Sequence, residues 1–311
     1  MSNAVSRAGA GYRGDPFAAE LPLMLITPAL FAANLIVARW AQGAGIPPVF
    51  LAFGRWTLAF LILLPSCGPR MWALRHTLRA SWQRILLLGG LGMGMAVAPQ
   101  YVGARHTSAA NVGIILAACP AFVTLVETLV WKAPLARRQA GGLFLAILGV
   151  LVVLAKGDIA ALGQLEFGRG DLWVVLAACG WSMYTVFNKR LALPPLPATV
   201  KLAALVGGGA LVLAPFAVAE AASGNVADFA DGRLYVALAF LAVVPSLGAY
   251  FFFDRLVAAA GPARASLTVY LIPLFATLAA WPMLDEPPHG YHVAGFGIIL
   301  AGVVGSGMRR R

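Results

Sequence analysis

Ten runs of roughly 20 apolar residues, each bounded by charge, proline or glycine, constrain this chain more than any other feature. They cover residues 21–41, 48–65, 84–103, 108–131, 139–156, 171–190, 198–219, 233–256, 262–284 and 291–308. Runs of that length match a hydrocarbon core about 30 Å thick. Lipid offers the backbone no hydrogen-bond partner, so each run must close its own bonds as a helix. None shows the ten-residue alternation of a membrane β-strand. The expected fold is an all-α polytopic membrane protein with ten transmembrane helices. Composition agrees: 60% of the residues are hydrophobic and 11% charged, against about 25% charged in a soluble domain. Residues 1–18 are small and polar with no apolar core of their own. They are expected to form a loose cytoplasmic tail, and no cleavable signal is read there.

The net charge of +11 would suggest a nucleic-acid partner on a soluble protein. Placed on ten spans it reads differently. With both termini on one side, that side holds 17 of the 23 Lys and Arg, among them Arg70, Arg75, Arg79, Arg84, Lys132, Arg137, Arg138, Lys189, Arg190 and Lys201. The other side holds only Arg39, Arg105, Lys156, Arg169 and Arg233. Arg55 lies inside a span. Positive residues resist translocation, so both termini are expected in the cytoplasm, with the chain in the cell inner (plasma) membrane. The expected partners are the lipid bilayer and a small-molecule substrate, with no nucleic acid. The chain is expected to act as a monomer.

A shift of 153 residues lays Pro120 on Pro273, Phe122 on Phe275, Thr124 on Thr277, Leu125 on Leu278, Pro134 on Pro287, Gly142 on Gly295, Gly149 on Gly302 and Val150 on Val303. These are eight identities in 31 ungapped pairs. They mark equivalent points on the fourth and fifth spans and on the ninth and tenth. The chain therefore reads as a duplicated five-helix unit, 19–157 and 168–308. Five is odd, so the copies are expected to be inverted. Inverted repeats are a recurring plan of secondary transporters, with a site between the halves.

The residues that carry these features resemble the drug/metabolite transporter superfamily, in particular its ten-helix EamA-type exporters. The first half reads TPALFAANLIVARWA, FLAFGRWTLAFLILLP and YVGARHTSAANVGIILAACPAFVTLVETLVW. The second reads GDLWVVLAACGWSMYTVFNKRL and GAYFFFDRLVAAAGPARASLTVYLIPLFATLAAWPMLDEP, then a Gly-rich last helix. The resemblance covers about residues 20 to 308. The Trp-Gly pair usual on the first helix is Phe31-Ala32 here, and the Glu usual after the fourth is Ala133, while its counterpart Glu286 is present. Such a resemblance implies an inner-membrane exporter of small organic solutes, with aromatic amino-acid exporters among the nearest branches.

Within the spans, Arg55 stands out. It lies seven and ten residues from the ends of its span, where an arginine costs about 2.5–3.5 kcal/mol to insert. It should face the bundle interior, either touching a substrate carboxylate or tying helices together. Asn34, Gln100, Tyr101, Trp181, Tyr184, Tyr250 and Tyr270 are the other candidate cavity residues. Asn34 and Tyr184 correspond under a shift of 150, which also pairs Phe31 with Trp181 and Arg39 with Lys189. Glu127 is the carboxylate furthest inside a span and the candidate coupling group. Asp254 beside Arg255 reads as a local ion pair. Pro28, Pro99, Pro120, Pro245 and Pro273 fall inside spans and are expected to hinge them. Gly89 to Gly94, Gly207 to Gly209 and the Gly297, Ala301, Gly305 stripe are expected to let helices pack closely. Trp40, Trp72, Trp82, Trp131 and Trp173 sit near span ends as interfacial residues.

These observations argue against several function classes. The GMG at 92–94 lacks the third glycine, the strand and the acid of a dinucleotide loop. His289 and His292 alone do not make a metal site, and no metal or cofactor is expected. A membrane-embedded transferase would need clustered acids or a nucleophile with its base. The chain is therefore expected not to be an enzyme. The leading expectation is a secondary transporter exporting small amphipathic metabolites by alternating access; a passive facilitator or channel is the alternative.

Overall fold

A computed structural model describes residues 16–132, 134–158, 168–191, 193–260 and 269–307. Helix occupies the described part of every one of the ten apolar segments. The first is Pro16–Gly43 and the second Pro48–Ala73, followed by the short Arg75–Ala80. The third is built from Trp82–Gly89, a π-helical turn Gly90–Met95 and Ala98–Gly103. The fourth is Ala109–Ala117 and Cys119–Trp131, and the fifth Arg137–Leu154. The sixth and seventh are Arg169–Arg190 and Ala198–Ala222. The eighth again has a π turn, Ala242–Gly248, between Gly232–Leu241 and Ala249–Ala260. The ninth opens with a 3-10 turn Val269–Leu271 before Ile272–Leu284, and the tenth is Gly290–Gly307. Among the described residues six helices are each long and apolar enough to cross a membrane, and the bent fourth makes a seventh. Among the described residues the ninth and tenth are shorter apolar helices.

The first helix starts at Pro16 and the eighth runs to Ala260, beyond the bounds read from the sequence, and two further differences have a local reason. The second helix continues past residue 65 to Ala73 through Pro65 and Pro69, because Cys67 is buried against Val200 and Ala203 of the seventh. The fourth segment is not one rod. Pro120 cannot donate to Leu116 and crowds its carbonyl, and the two helices meet at 43°.

The packing repeats itself under exchange of the halves. The first segment lies against the ninth, as the sixth lies against the fourth; the second runs along the seventh and the fifth along the tenth. The third packs on the sixth as the eighth packs on the first. The two π turns fall at matching points, and the left-handed residues Lys132 and Asp285 end the fourth and ninth helices 153 residues apart.

Glycines set the closest crossings. A Cβ on Gly149 would sit 2.7 Å from the carbonyl oxygen of Gly295, and one on Gly302 would sit 2.6 Å from that of Gly142. A Cβ on Gly89 would sit within 2.6 Å of the seventh-segment backbone at Leu205 and Gly209. The expected stripe on the tenth helix is displaced: Gly297 has nothing within 4 Å, and the contact face runs through Gly295, Ile299 and Gly302. Large apolar side chains such as Leu129, Phe144, Leu211, Val218 and Trp281 stay exposed on the outside of the bundle, as a lipid-facing surface requires.

Candidate functional site

Arg55 is 3% exposed and joins four segments. Its Nη1 donates to Asn34 Oδ1 on the first segment and to Tyr101 OH on the third. Nε and Nη2 donate to Ser246 Oγ on the eighth at 3.0 and 2.7 Å. Tyr101 OH donates in turn to Asn34 Oδ1 at 2.7 Å, and the guanidinium carbon lies 4.4 Å from the Trp56 ring centroid. All four hydrogen-bonded contacts are to neutral oxygens. Asn34, Arg55 and Tyr101 are thus brought together as one cluster.

Ser246 completes that cluster and was not singled out in the sequence. Its position follows from its neighbour. Pro245 has no N–H for the carbonyl of Leu241 four residues back, and the Ser246 hydroxyl donates to that carbonyl at 2.7 Å. With its proton committed, the oxygen faces Arg55 as an acceptor. The π turn of the third segment works similarly. Ala96 N–H reaches back five residues to Leu91 while Val97 reaches back only three to Gly94. Met93 O is left to accept from Trp56 Nε1 at 2.9 Å.

The other aromatic cavity candidates make ring contacts or pack in apolar clusters. Trp181 and Tyr184 form a pair with centroids 5.5 Å apart, and the Tyr184 ring covers Gly92 of the π turn. Tyr250 meets Phe31 edge-on at 5.9 Å. Tyr270 packs in the apolar cluster of the fourth, ninth and tenth segments. Gln100 is 4% exposed and its amide nitrogen has no hydrogen-bond partner. Four of the five candidate hinge prolines fall where helix geometry changes: Pro99 after the first π turn, Pro120 at the bend, Pro245 within the second π turn, and Pro273 after the 3-10 turn. Pro28 lies in a continuous helix.

The two ends of the bundle differ. At one, Glu127 lies 3.9 Å from both Lys189 and Arg190, its side chain 29% exposed, and Trp131 packs edge-on against Phe187 at 5.0 Å. The Asp254 side chain, and so its expected pairing with Arg255, lies outside the described residues. At the opposite end the halves are tied much more closely. Arg39 Nε pairs with Glu286 Oε1 at 2.7 Å and its Nη1 donates to Ala104 O. Glu286 Oε2 also accepts from Ala109 N at 2.9 Å, capping a helix of the other half. Glu220 caps the second helix likewise, accepting from Phe50 N at 2.8 Å.

Beside the Arg39–Glu286 pair runs a buried polar chain that sequence reasoning missed as a unit. Asp171, 1% exposed, accepts at Oδ1 from the Thr107 hydroxyl and from Asn111 Nδ2. His289 N–H donates to His292 Nδ1, so Nε2 carries the ring proton and donates to Asn111 Oδ1 at 3.0 Å. His292 is therefore held neutral, as a hydrogen-bonding group. These residues border a cavity of about 370 Å³ between the halves, also lined by Arg39, Lys156, Asp285 and Glu286. None of the eight candidate cavity residues lines it. Among the described residues no group of three or more His, Cys, Asp or Glu could hold a metal ion.

Two packed helical halves, joined through a buried arginine and tied across a polar cavity, define a polytopic membrane transporter. The chain belongs to the EamA-like transporter family, whose pattern matches residues 19–155 and again 168–308. An uncharacterised transporter of Archaeoglobus fulgidus is 26% identical over 90% of this chain and 94% of its own length. The transporter YyaM of Bacillus subtilis, also uncharacterised, is 24% identical over 91% and 92%. An S-adenosylmethionine/S-adenosylhomocysteine transporter of Chlamydia trachomatis is 25% identical over 89% and 86%. A protein crystal structure superposes with a TM-score of 0.60 over 93% of this chain and 97% of its own, at 19% identity. That likeness shows the fold alone.

Proposed function

We propose that this protein exports small amphipathic metabolites across the inner membrane by alternating access of its two halves, with aromatic and other hydrophobic amino acids foremost. The observation that carries this reading is Arg55. A guanidinium buried among neutral oxygens keeps its charge uncancelled, and a solute carboxylate is its natural complement. Asn34, Tyr101 and Gln100 would share the polar end of such a solute. Trp181, Tyr184, Tyr250 and Tyr270 would supply aromatic faces and phenol edges to its apolar end. The prolines at helix breaks are the assigned hinges. The count of basic residues supports cytoplasmic termini, which puts the Arg39 end outside and the Glu127 end inside.

Glu127, at the inner rim beside two basic side chains, is the proposed coupling carboxylate. The test is resistance of expressing cells to toxic aromatic amino-acid analogues, followed by flux of L-phenylalanine in proteoliposomes with and without a proton gradient. Protection, lost in Arg55→Ala, is the expected result. No protection, with Arg55→Ala flux equal to wild type, overturns the assignment. Gradient-insensitive flux would instead assign a passive facilitator and remove Glu127 from the account. A second substrate reading is favoured by the Chlamydia relative, named for S-adenosylmethionine and S-adenosylhomocysteine. Both carry an α-amino-acid head, and competition with L-phenylalanine flux separates them from simple aromatic solutes.

A further inference from the structure

We propose that the cavity between Asp171 and Lys156 is a second solute site, at the outer mouth, built for the zwitterionic head of an α-amino acid. The proposal rests on the transport reading above but concerns a place that Arg55 does not reach. The volume, about 370 Å³, falls among small-ligand pockets, which run from about 300 Å³ upward. Its wall carries both signs of charge. Arg39 and Glu286 neutralise each other as a pair on that wall, and Asp285 lines it in the left-handed turn that ends the ninth helix. Asp171 is different. It is almost fully buried, its side-chain hydrogen bonds come from the neutral Thr107 and Asn111, and Lys156, the cation that acts on it, stays beyond ion-pair distance.

A buried carboxylate held by neutral groups is complementary to a cation, and the neighbouring wall suits an organic one. The His289 and Tyr291 rings stack at 5.4 Å with 14° between planes, and Tyr291 meets His292 at 4.2 Å. Such π faces attract an ammonium group. The Asn111–His292 chain fixes the Asp171 carboxylate from behind, and neutral His292 adds no competing charge. Lys156, on the same cavity at the end of the fifth helix, supplies the opposite charge for a carboxylate. Ammonium at Asp171 and carboxylate at Lys156 satisfy both ends of one zwitterion, leaving its side chain to the ring wall.

The test uses the full-length protein in detergent, with His106→Cys, at an exposed residue lining the cavity, as a reporter for a charged maleimide. L-phenylalanine should slow labelling, while phenethylamine and 3-phenylpropionate, each lacking one charge, should need about tenfold higher concentrations. Lys156→Gln, at an exposed position, should bring L-phenylalanine down to the level of phenethylamine. Asp171→Asn should bring it down to the level of 3-phenylpropionate. Equal protection by all three compounds, or protection unchanged in Lys156→Gln, overturns the site. Transport of L-phenylalanine without any protection overturns the site and leaves the transport reading standing. Protection without transport does the reverse.

Discussion

Arg55 uses four of its five N–H groups on three neutral side chains from three other segments. Its burial was legible, because an arginine seven and ten residues from the ends of its expected span has nowhere cheaper to go. Two of its partners, Asn34 and Tyr101, were legible as polar residues inside spans. Ser246 was not, since a serine within an apolar run is usually only a minor hydrogen-bonding residue. The signal that would have found it is the preceding proline, which frees a carbonyl for the hydroxyl to take. Ser246→Ala should leave Nε and Nη2 unpaired and cost about 1.5–3 kcal/mol, the scale of hydrogen bonds to a charged group. Thermal unfolding in detergent checks this; a shift near the membrane average of about 0.6 kcal/mol would mean that the cluster does not bear on stability. Glu286→Ala removes a partner from Arg39 and a cap from Ala109 N together. A loss of about 0.5–2 kcal/mol is expected, mostly through the cap, because the pair itself is partly solvated.

At the scale of helices, the glycine crossings give the sharpest contrast. Gly149→Val and Gly302→Val would drive side chains into backbone 2.6–2.7 Å away. Both should abolish folded yield on size-exclusion chromatography. Gly297→Val, on the face with nothing within 4 Å, should leave the yield unchanged. Equal behaviour of the three would contradict the helix rotation described. The small-residue period in the last span was readable, but which phase faces the fifth helix was not. The expected stripe is small throughout, whereas the face used carries Ile299 between Gly295 and Gly302, and only the partner, with Gly149 opposite Ile299, chooses between them. The proline positions, by contrast, located most breaks, because a missing N–H acts locally. Pro245→Ala should restore regular helix, supply the four-residue donor that Leu241 O lacks and draw Ser246 from Arg55. It is expected to reproduce the stability loss of Ser246→Ala; a neutral or stabilising effect would show that the π turn does not depend on the proline.

The molecule as a whole is two related halves whose contacts exchange with one another. That plan was legible from eight identities at one offset, since glycines and prolines hold their places where backbones cross or break. The polar chain at the Arg39 end was not. Asp171, His292 and the Thr107–Asn111 pair come from three places in the sequence, each near a span end where a polar residue looks like ordinary interface. Only the fold brings them together. The ends are also unequal: the Arg39–Glu286 bond is 2.7 Å, whereas Glu127 stands 3.9 Å from its basic neighbours. Glu286 corresponds to Ala133 in the first half, so the tight tie has no acidic counterpart at the other end.

The central claim, solute transport by alternation of the two halves, is tested most directly by counterflow. Proteoliposomes loaded with unlabelled L-phenylalanine should take up labelled L-phenylalanine several-fold faster than empty ones, with saturation, and Arg55→Ala should remove the acceleration. Uptake that neither saturates nor responds to solute inside would contradict the account and describe an open channel.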